Sequence, residues 1–172
     1  MLSFDIRELE RQAVLVDGEL SPDDAVWAEG DPTPDAPVHA TGRLSKAGSG
    51  RYYWSGRIEG TVREACRRCL ADVPARVSED VHVIFVEADD EVAEDPDAYR
   101  LPPNAPTIDL RPAIREQWLL GVPSFVLCRE DCQGLCPRCG ADLNAGPCDC
   151  PPVTDSRWEA LRSIRGASDE QR

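Results

Sequence analysis

The sequence has no long apolar run, few aromatic residues and only two histidines. Its uninterrupted apolar stretch around Phe85 is only Val83 to Val86, far short of the roughly 20 residues a membrane helix needs. Asp5, Arg7 and Glu8 break the apolar character of the first residues, so no secretory leader is expected. These absences lead to the expectation of a cytoplasmic protein with no membrane partner. There, thiols stay reduced, and clustered cysteines more often hold metal than form disulfides. His39 and His82 fall in strand-like segments and read as ordinary strand residues, not as ligands of an open catalytic zinc. Nucleophile-elbow, HExxH, phosphate-loop and dinucleotide fingerprints are all missing, so no enzyme is expected. Trp27, Trp54, Trp118 and Trp158 are not interleaved with basic residues into a base-stacking surface and read as packing residues.

What is present is acidic and cysteine-rich. The 172 residues carry 32 acidic against 19 basic side chains, a formal charge of −13. Such a surface repels phosphate backbones and favours a basic protein partner. Hydrophobic residues make up 41%, and fifteen prolines and twelve glycines imply many loops, so the core is expected to be modest. Structural metal is a common remedy for a thin core.

Phe4 and Ile6, alternating with Asp5 and Arg7, suggest a short strand. Val38, Ala40, Gly42 and Leu44 share one parity, as do Tyr52, Trp54, Gly56, Ile58, Gly60 and Val62. Lys46 to Gly50 makes the turn of this hairpin. Val73, Ala75, Val77, Val81, Val83 and Phe85 line one face of a further strand, which places Cys66 and Cys69 in a tight strand connection. The acidic, proline-rich segment 87–106 reads as a surface loop. Residues 108–120 read as a helix, with Asp109 as a cap, Pro112 in the first turn and Ile114, Trp118 and Leu119 on one face. A last helix fits 155–165, and 166–172 reads as a disordered tail. The expected fold is α+β: mainly an antiparallel β-sheet or small barrel, with one packed helix and a C-terminal zinc-ribbon-like segment. The domain reading is a β-rich domain over 1–127, a cysteine-rich metal-binding segment over 128–165 stapled to it, and the tail.

Eight cysteines are the right number for two sites of four thiolates. Cys136-Pro137-Arg138-Cys139-Gly140 is the strongest local signal, because glycine after the second cysteine allows a left-handed turn that aims backbone N–H groups at sulfur. Cys148 and Cys150 complete that quartet across a short loop. Cys66, Cys69, Cys128 and Cys132 form the second. Other partitions stay open at this stage, as does a single site with spare thiols. The expected cofactor is Zn²⁺, about two ions in structural roles. Disulfides would need an oxidising compartment. A thioredoxin-like pair would sit at a strand-to-helix turn, and the Cys132-Cys136-Cys139 spacing used by radical iron–sulfur enzymes lacks a long α/β barrel behind it. Arg63, Arg67, Arg68 and Arg76 gather at the first Cys-x-x-Cys, either balancing a negative thiolate site or making a limited RNA contact.

Taken together, these residues resemble the YceD family, the large ribosomal RNA subunit accumulation proteins. The resemblance rests on Cys66-Arg67-Arg68-Cys69-Leu70, on Ile108-Asp109-Leu110 through Glu116-Gln117-Trp118-Leu119-Leu120, and on the run from Leu127 to Asn144. Cys148-Asp149-Cys150 and Asp155 to Leu161 extend it. It implies a bacterial cytoplasmic protein, with plastid relatives, needed for normal accumulation of large-subunit rRNA and without a known catalytic activity. It also implies that Cys66, Cys69, Cys128 and Cys132 belong together, since some relatives keep counterparts of that quartet alone. Family genes often neighbour one for a small basic ribosomal protein. The implied partner is therefore a large-subunit ribosomal precursor, met through a basic ribosomal protein or limited rRNA contact. The acidic, proline-rich segment 87–106 is this chain's main departure. Two other classes remain: a zinc-dependent interaction or regulatory adaptor unrelated to ribosomes, and a thiol redox or iron–sulfur protein.

Overall fold

A computed structural model describes residues 2–87, 90–95, 98–151 and 157. The chain runs β1 (Ser3–Asp5), α1 (Ile6–Leu9), β2 (Val14–Leu20), β3 (Val38–Gly48), β4 (Arg51–Ala65), β5 (Asp72–Glu87), a 3-10 turn (Glu91–Glu94), β6 (Ala98–Leu101), β7 (Thr107–Asp109) and α2 (Arg111–Gly121). β2 to β6 form a five-stranded sheet in sequence order, antiparallel except for the parallel pairing of β5 with β6. β2 and β6 stand at its two edges, and no ladder joins them among the described residues, so the sheet is open and the barrel alternative does not apply. β1 and β7 make a separate antiparallel pair. The architecture is α+β.

The two-residue period is realised where it was read. Val38, Ala40, Leu44, Tyr52, Trp54, Ile58, Val62, Ala75, Val77, Val81, Val83 and Phe85 are all buried, on one face of the β3–β4–β5 meander. Each large apolar side chain among them contributes about 1.5–3 kcal/mol by leaving water. α2 closes this face with Ala113, Ile114 and Trp118, all fully buried. Trp118 packs against Gly60 of β4, where an added Cβ would come within 2.7 Å of its ring. The indole N–H of Trp118 donates to the carbonyl of Pro32 at 2.7 Å, and Trp27 meets the ring edge-on at 6.3 Å. Arg115 grips Asp31 with two parallel hydrogen bonds of 2.6 and 2.9 Å, so the segment joining β2 to β3 is drawn across α2. This guanidinium holds the Asp31 carboxyl below the usual carboxylate range, and the Ala28 N–H adds to the effect.

Several expectations are corrected. Ile6 does not continue the first strand but opens α1, capped by the Asp5 carboxylate, which accepts from the Arg7 N–H at 2.7 Å. β2 was not anticipated. The helix expected over 108–120 starts at Arg111, because residues 107–109 pair with β1. Asp109 still serves the helix start, accepting from the Arg111 N–H at 3.0 Å, although Leu110 occupies the cap position. Segment 87–106 is not simply a loop. It contains the 3-10 turn and β6, and Asp90 is tied to Arg51 of β4 at 2.7 Å. The helix expected over 155–165 and the tail 166–172 lie outside the described residues, residue 157 apart.

Candidate metal centres

β4 and β5 are fifteen and sixteen residues long, and their ladder runs without a break from Arg51↔Val86 to Ala65↔Asp72. The connection at the far end is Cys66 to Ala71. There the Cys66 N–H donates to the Ala71 carbonyl at 2.8 Å and the Leu70 N–H to the Cys66 carbonyl at 2.9 Å. This turn needs a left-handed residue at its fifth position, and Leu70 fills it with φ 61°. The second Cys-x-x-Cys repeats the design: Cys136 N–H to Ala141 carbonyl at 2.8 Å, Gly140 N–H to Cys136 carbonyl at 2.9 Å, Gly140 φ 73°. The two turns are therefore the same structure. Glycine after the second cysteine, the cue that made 136–140 conspicuous, is replaced by leucine in the first.

The segment after α2 wraps around the first turn. Arg67 donates its N–H to the Val126 carbonyl at 2.9 Å and its Nε to the Ser124 carbonyl at 2.7 Å. Arg68 donates to the Cys132 carbonyl at 2.8 Å, and its own carbonyl accepts from the Leu135 N–H at 3.1 Å. Cys128 and Cys132 are thereby delivered to Cys66 and Cys69. The four Sγ atoms lie within 4.8 Å of one another, with Cys66–Cys132 at 3.9 Å and Cys69–Cys128 at 3.6 Å. Cys136, Cys139, Cys148 and Cys150 form a second group that meets the same 4.8 Å limit. Sulfur atoms about 2.3 Å from a tetrahedral ion stand about 3.8 Å apart, so the first quartet has the size of a four-thiolate metal centre. Its separations are far beyond the roughly 2.05 Å of a disulfide.

The electrostatics point the same way. N–H groups of Cys69, Arg68 and Cys128 aimed at Cys66 bring its thiol down to about 6. The N–H groups of Cys139 and Arg138 do the same for Cys136, also to about 6. Once one thiolate forms, its neighbours resist ionising. Cys132, helped by burial, pushes the Cys128 thiol up to about 12, and Cys139 with burial pushes Cys150 up to about 12. Four thiolates can coexist in such a space only around a positive charge, which a divalent cation supplies. Each quartet can hold a metal ion and would fill its tetrahedral shell.

All eight sequence-selected cysteines fall into these two groups. His39 and His82 lie in β3 and β5, against Asp17 and Tyr53, and belong to neither. Of the four arginines noted at the first turn, Arg63 pairs with Asp35 at 3.7 Å and Arg76 with Glu59 at 2.7 Å. Arg67 and Arg68 brace the wrapping segment. One residue that sequence reasoning passed over is Asn144, in the loop between Cys139 and Cys148. Its Nδ2 donates to Cys132 Sγ, in the other quartet, at 3.5 Å. It ends the Leu127–Asn144 run that carries the family resemblance, but no spacing there marks it as a partner of the first quartet. No helix among the described residues is long and apolar enough to cross a membrane.

Fold and site together define a β-sheet protein whose longest hairpin ends in one four-cysteine centre, with a second four-cysteine centre beside it. Residues 54–165 match the family model "Large ribosomal RNA subunit accumulation protein YceD", and the chain belongs to that family. It is 33% identical over 115 residues to an uncharacterized protein of Mycobacterium tuberculosis, a match covering 65% of this chain and 55% of the relative. It is 37% identical over 54 residues to an Arabidopsis thaliana protein named large ribosomal RNA subunit accumulation protein YCED homolog 1, chloroplastic, covering 31% of this chain and 17% of that one. The uncharacterized protein YlbN of Bacillus subtilis is 24% identical over 169 residues, covering 97% and 96%. This chain thus spans about half the length of the mycobacterial relative but nearly all of the Bacillus one. No solved structure matches.

Proposed function

We propose that this protein is a non-enzymatic, cytoplasmic accessory factor in large ribosomal subunit biogenesis, supporting accumulation of large-subunit rRNA, with two structural Zn²⁺ ions holding its shape. The observation that carries this reading is the family match, which runs through both cysteine quartets. The zinc assignment is supported by an all-thiolate donor set of tetrahedral size. Four sulfurs around each ion leave no position for an activated water, which argues for a structural ion and not a catalytic one.

The favoured partner is a large-subunit ribosomal precursor, met through a basic ribosomal protein. The net charge of −13 suits such a partner. Limited rRNA contact near Arg63, Arg67, Arg68 and Arg76 is the less favoured route, because all four side chains already make intramolecular bonds.

Two measurements test the proposal. Elemental analysis of protein purified without added metal should find about two zinc ions per chain, whereas iron or a titratable Cys66/Cys69 disulfide would favour the redox reading. In a strain lacking the protein, the ratio of large-subunit to small-subunit rRNA should fall, and the tagged full chain should co-sediment with large-subunit precursors at low salt. An unchanged ratio with no ribosomal association would leave only a zinc-dependent adaptor.

A further inference from the structure

We infer that Asn144 couples the two metal centres, so that filling the 136–150 centre tightens metal binding at the Cys66/Cys69/Cys128/Cys132 centre. This rests on the zinc reading above and goes beyond it. Asn144 belongs to the loop of one centre but spends its side chain on the other. Its Oδ1 accepts from the Gln133 N–H and from Arg129 Nη2, both at 2.8 Å. Those two groups can only donate, so the amide oxygen must face them. The amide nitrogen is then turned toward Cys132 Sγ at 3.5 Å, with its other hydrogen on Asp142 Oδ1 at 2.7 Å. The orientation is set by the network.

Cys132 is only 2% exposed, so water cannot easily replace this donor. An N–H···S bond steadies the thiolate and fixes its direction, as supporting hydrogen bonds do for other metal ligands.

The position of Asn144 depends on its own loop. Leu143 N–H donates to the Gly134 carbonyl at 2.9 Å, and Leu135 bridges Asp142. Gly134, with φ 73° and an added Cβ only 2.9 Å from the Arg68 carbonyl, seats this loop against the first turn. Cys139 and Cys148 bracket residues 140–147, so a metal ion bound by them restrains the loop that presents Asn144. Removing that ion frees the loop and withdraws the donor. Because coupling free energy is reciprocal, the first centre must tighten the second by the same factor.

The test uses the full chain in zinc buffers of graded free Zn²⁺. Alkylation of each cysteine is read by mass spectrometry, so that each centre reports its own affinity. Disabling the 136–150 centre with Cys148→Ser and Cys150→Ser should raise the free zinc needed to protect the first quartet about tenfold. Asn144→Ala should produce the same shift with all cysteines present, and combining it with the serine pair should add nothing. Asn144→Asp keeps the oxygen for Gln133 and Arg129 but removes the N–H donor, so it should weaken the first centre at least as much. As a folding control, the second centre, measured with Cys69→Ser and Cys128→Ser, should keep its affinity in Asn144→Ala within about twofold. Unchanged first-quartet protection in Asn144→Ala, wild-type protection in Asn144→Asp, or additive shifts would each overturn the coupling while leaving the zinc reading standing. A wild-type chain that gains no protection from zinc would remove both.

Discussion

The first centre should act as a long-range cross-link, and its loss can be sized from the chain. Cys69 and Cys128 meet across a separation of 59 residues. Closing a loop of that length in the unfolded chain removes conformational entropy worth about 4 kcal/mol at room temperature, by the same arithmetic used for disulfides and metal clips. For a domain of this size, each kcal/mol moves the midpoint of thermal unfolding by roughly 2–4 °C, so the expected drop is about 8–16 °C. The perturbation is the double substitution Cys69→Ser and Cys128→Ser. Cys128 is exposed and Cys69 only partly buried, so little packing is lost with the sulfurs. The assay is thermal unfolding of zinc-loaded protein followed by tryptophan fluorescence, since Trp54 and Trp118 are buried in the sheet core. A chelator should lower the wild-type midpoint toward that of the variant and should move the variant much less. Cys148→Ser with Cys150→Ser closes no long loop, and it should cost the sheet only a few degrees. If the Cys69/Cys128 variant melts within a couple of degrees of the loaded wild type, the wrapping segment is held by the Arg67 and Arg68 hydrogen bonds alone and the staple argument fails.

Gly60→Ala should destabilise the fold by about 1–2 kcal/mol in urea unfolding, because the new methyl meets a Trp118 ring that Pro32 and Trp27 prevent from moving; unchanged stability would mean that α2 can shift. Gly134→Ala should cost more than Gly140→Ala. Both demand positive φ, but only the Gly134 Cβ runs into a neighbouring backbone, that of Arg68, and the second position has open space around it. Equal losses in paired unfolding curves would refute the close-approach argument. For Asp31 the folded carboxyl is held below its unfolded value, so its stabilisation is complete above the ordinary carboxylate range and is lost as pH falls through the lowered value. Asp31→Asn should therefore melt earlier at neutral pH and show a shallower loss of stability between about pH 5 and pH 2; parallel acid limbs would show that the pair does not form.

The meander was legible because one-sided burial imposes a period of two on β3, β4 and β5, and nothing competes with it. β2 hid because Leu15 is 79% exposed, which blurs the alternation of Val14, Val16 and Leu20. β6 hid inside an acidic, proline-flanked stretch. Only four residues long, it takes its pairing from β5 and from no pattern of its own. β7 was absorbed into the helix because Thr107–Asp109 run directly into the helical stretch and Asp109 is a natural cap for it. The actual partner of Ile108 is Phe4, about a hundred residues earlier, and local periodicity carries no trace of a pairing that distant. At the site, cysteine spacing suggested the two groups that geometry brings together. Asn144 stood in the Leu127–Asn144 run without an assigned role, because its contact reaches across centres and follows from no spacing within one.

The β4–β5 hairpin also orders events in time. Its contacts are close in sequence, so it can zip as soon as residue 87 is available, and its turn then presents Cys66 and Cys69 already folded into place. The other two thiols, Cys128 and Cys132, are some forty residues further along the chain, a few seconds later during synthesis. Until they arrive, the nascent protein displays a half-built chelator that cannot close. Closure of a metal centre at the hairpin tip would therefore have to wait for Cys132, and a chain cut short before Cys128 would offer an ion only two of the four thiols.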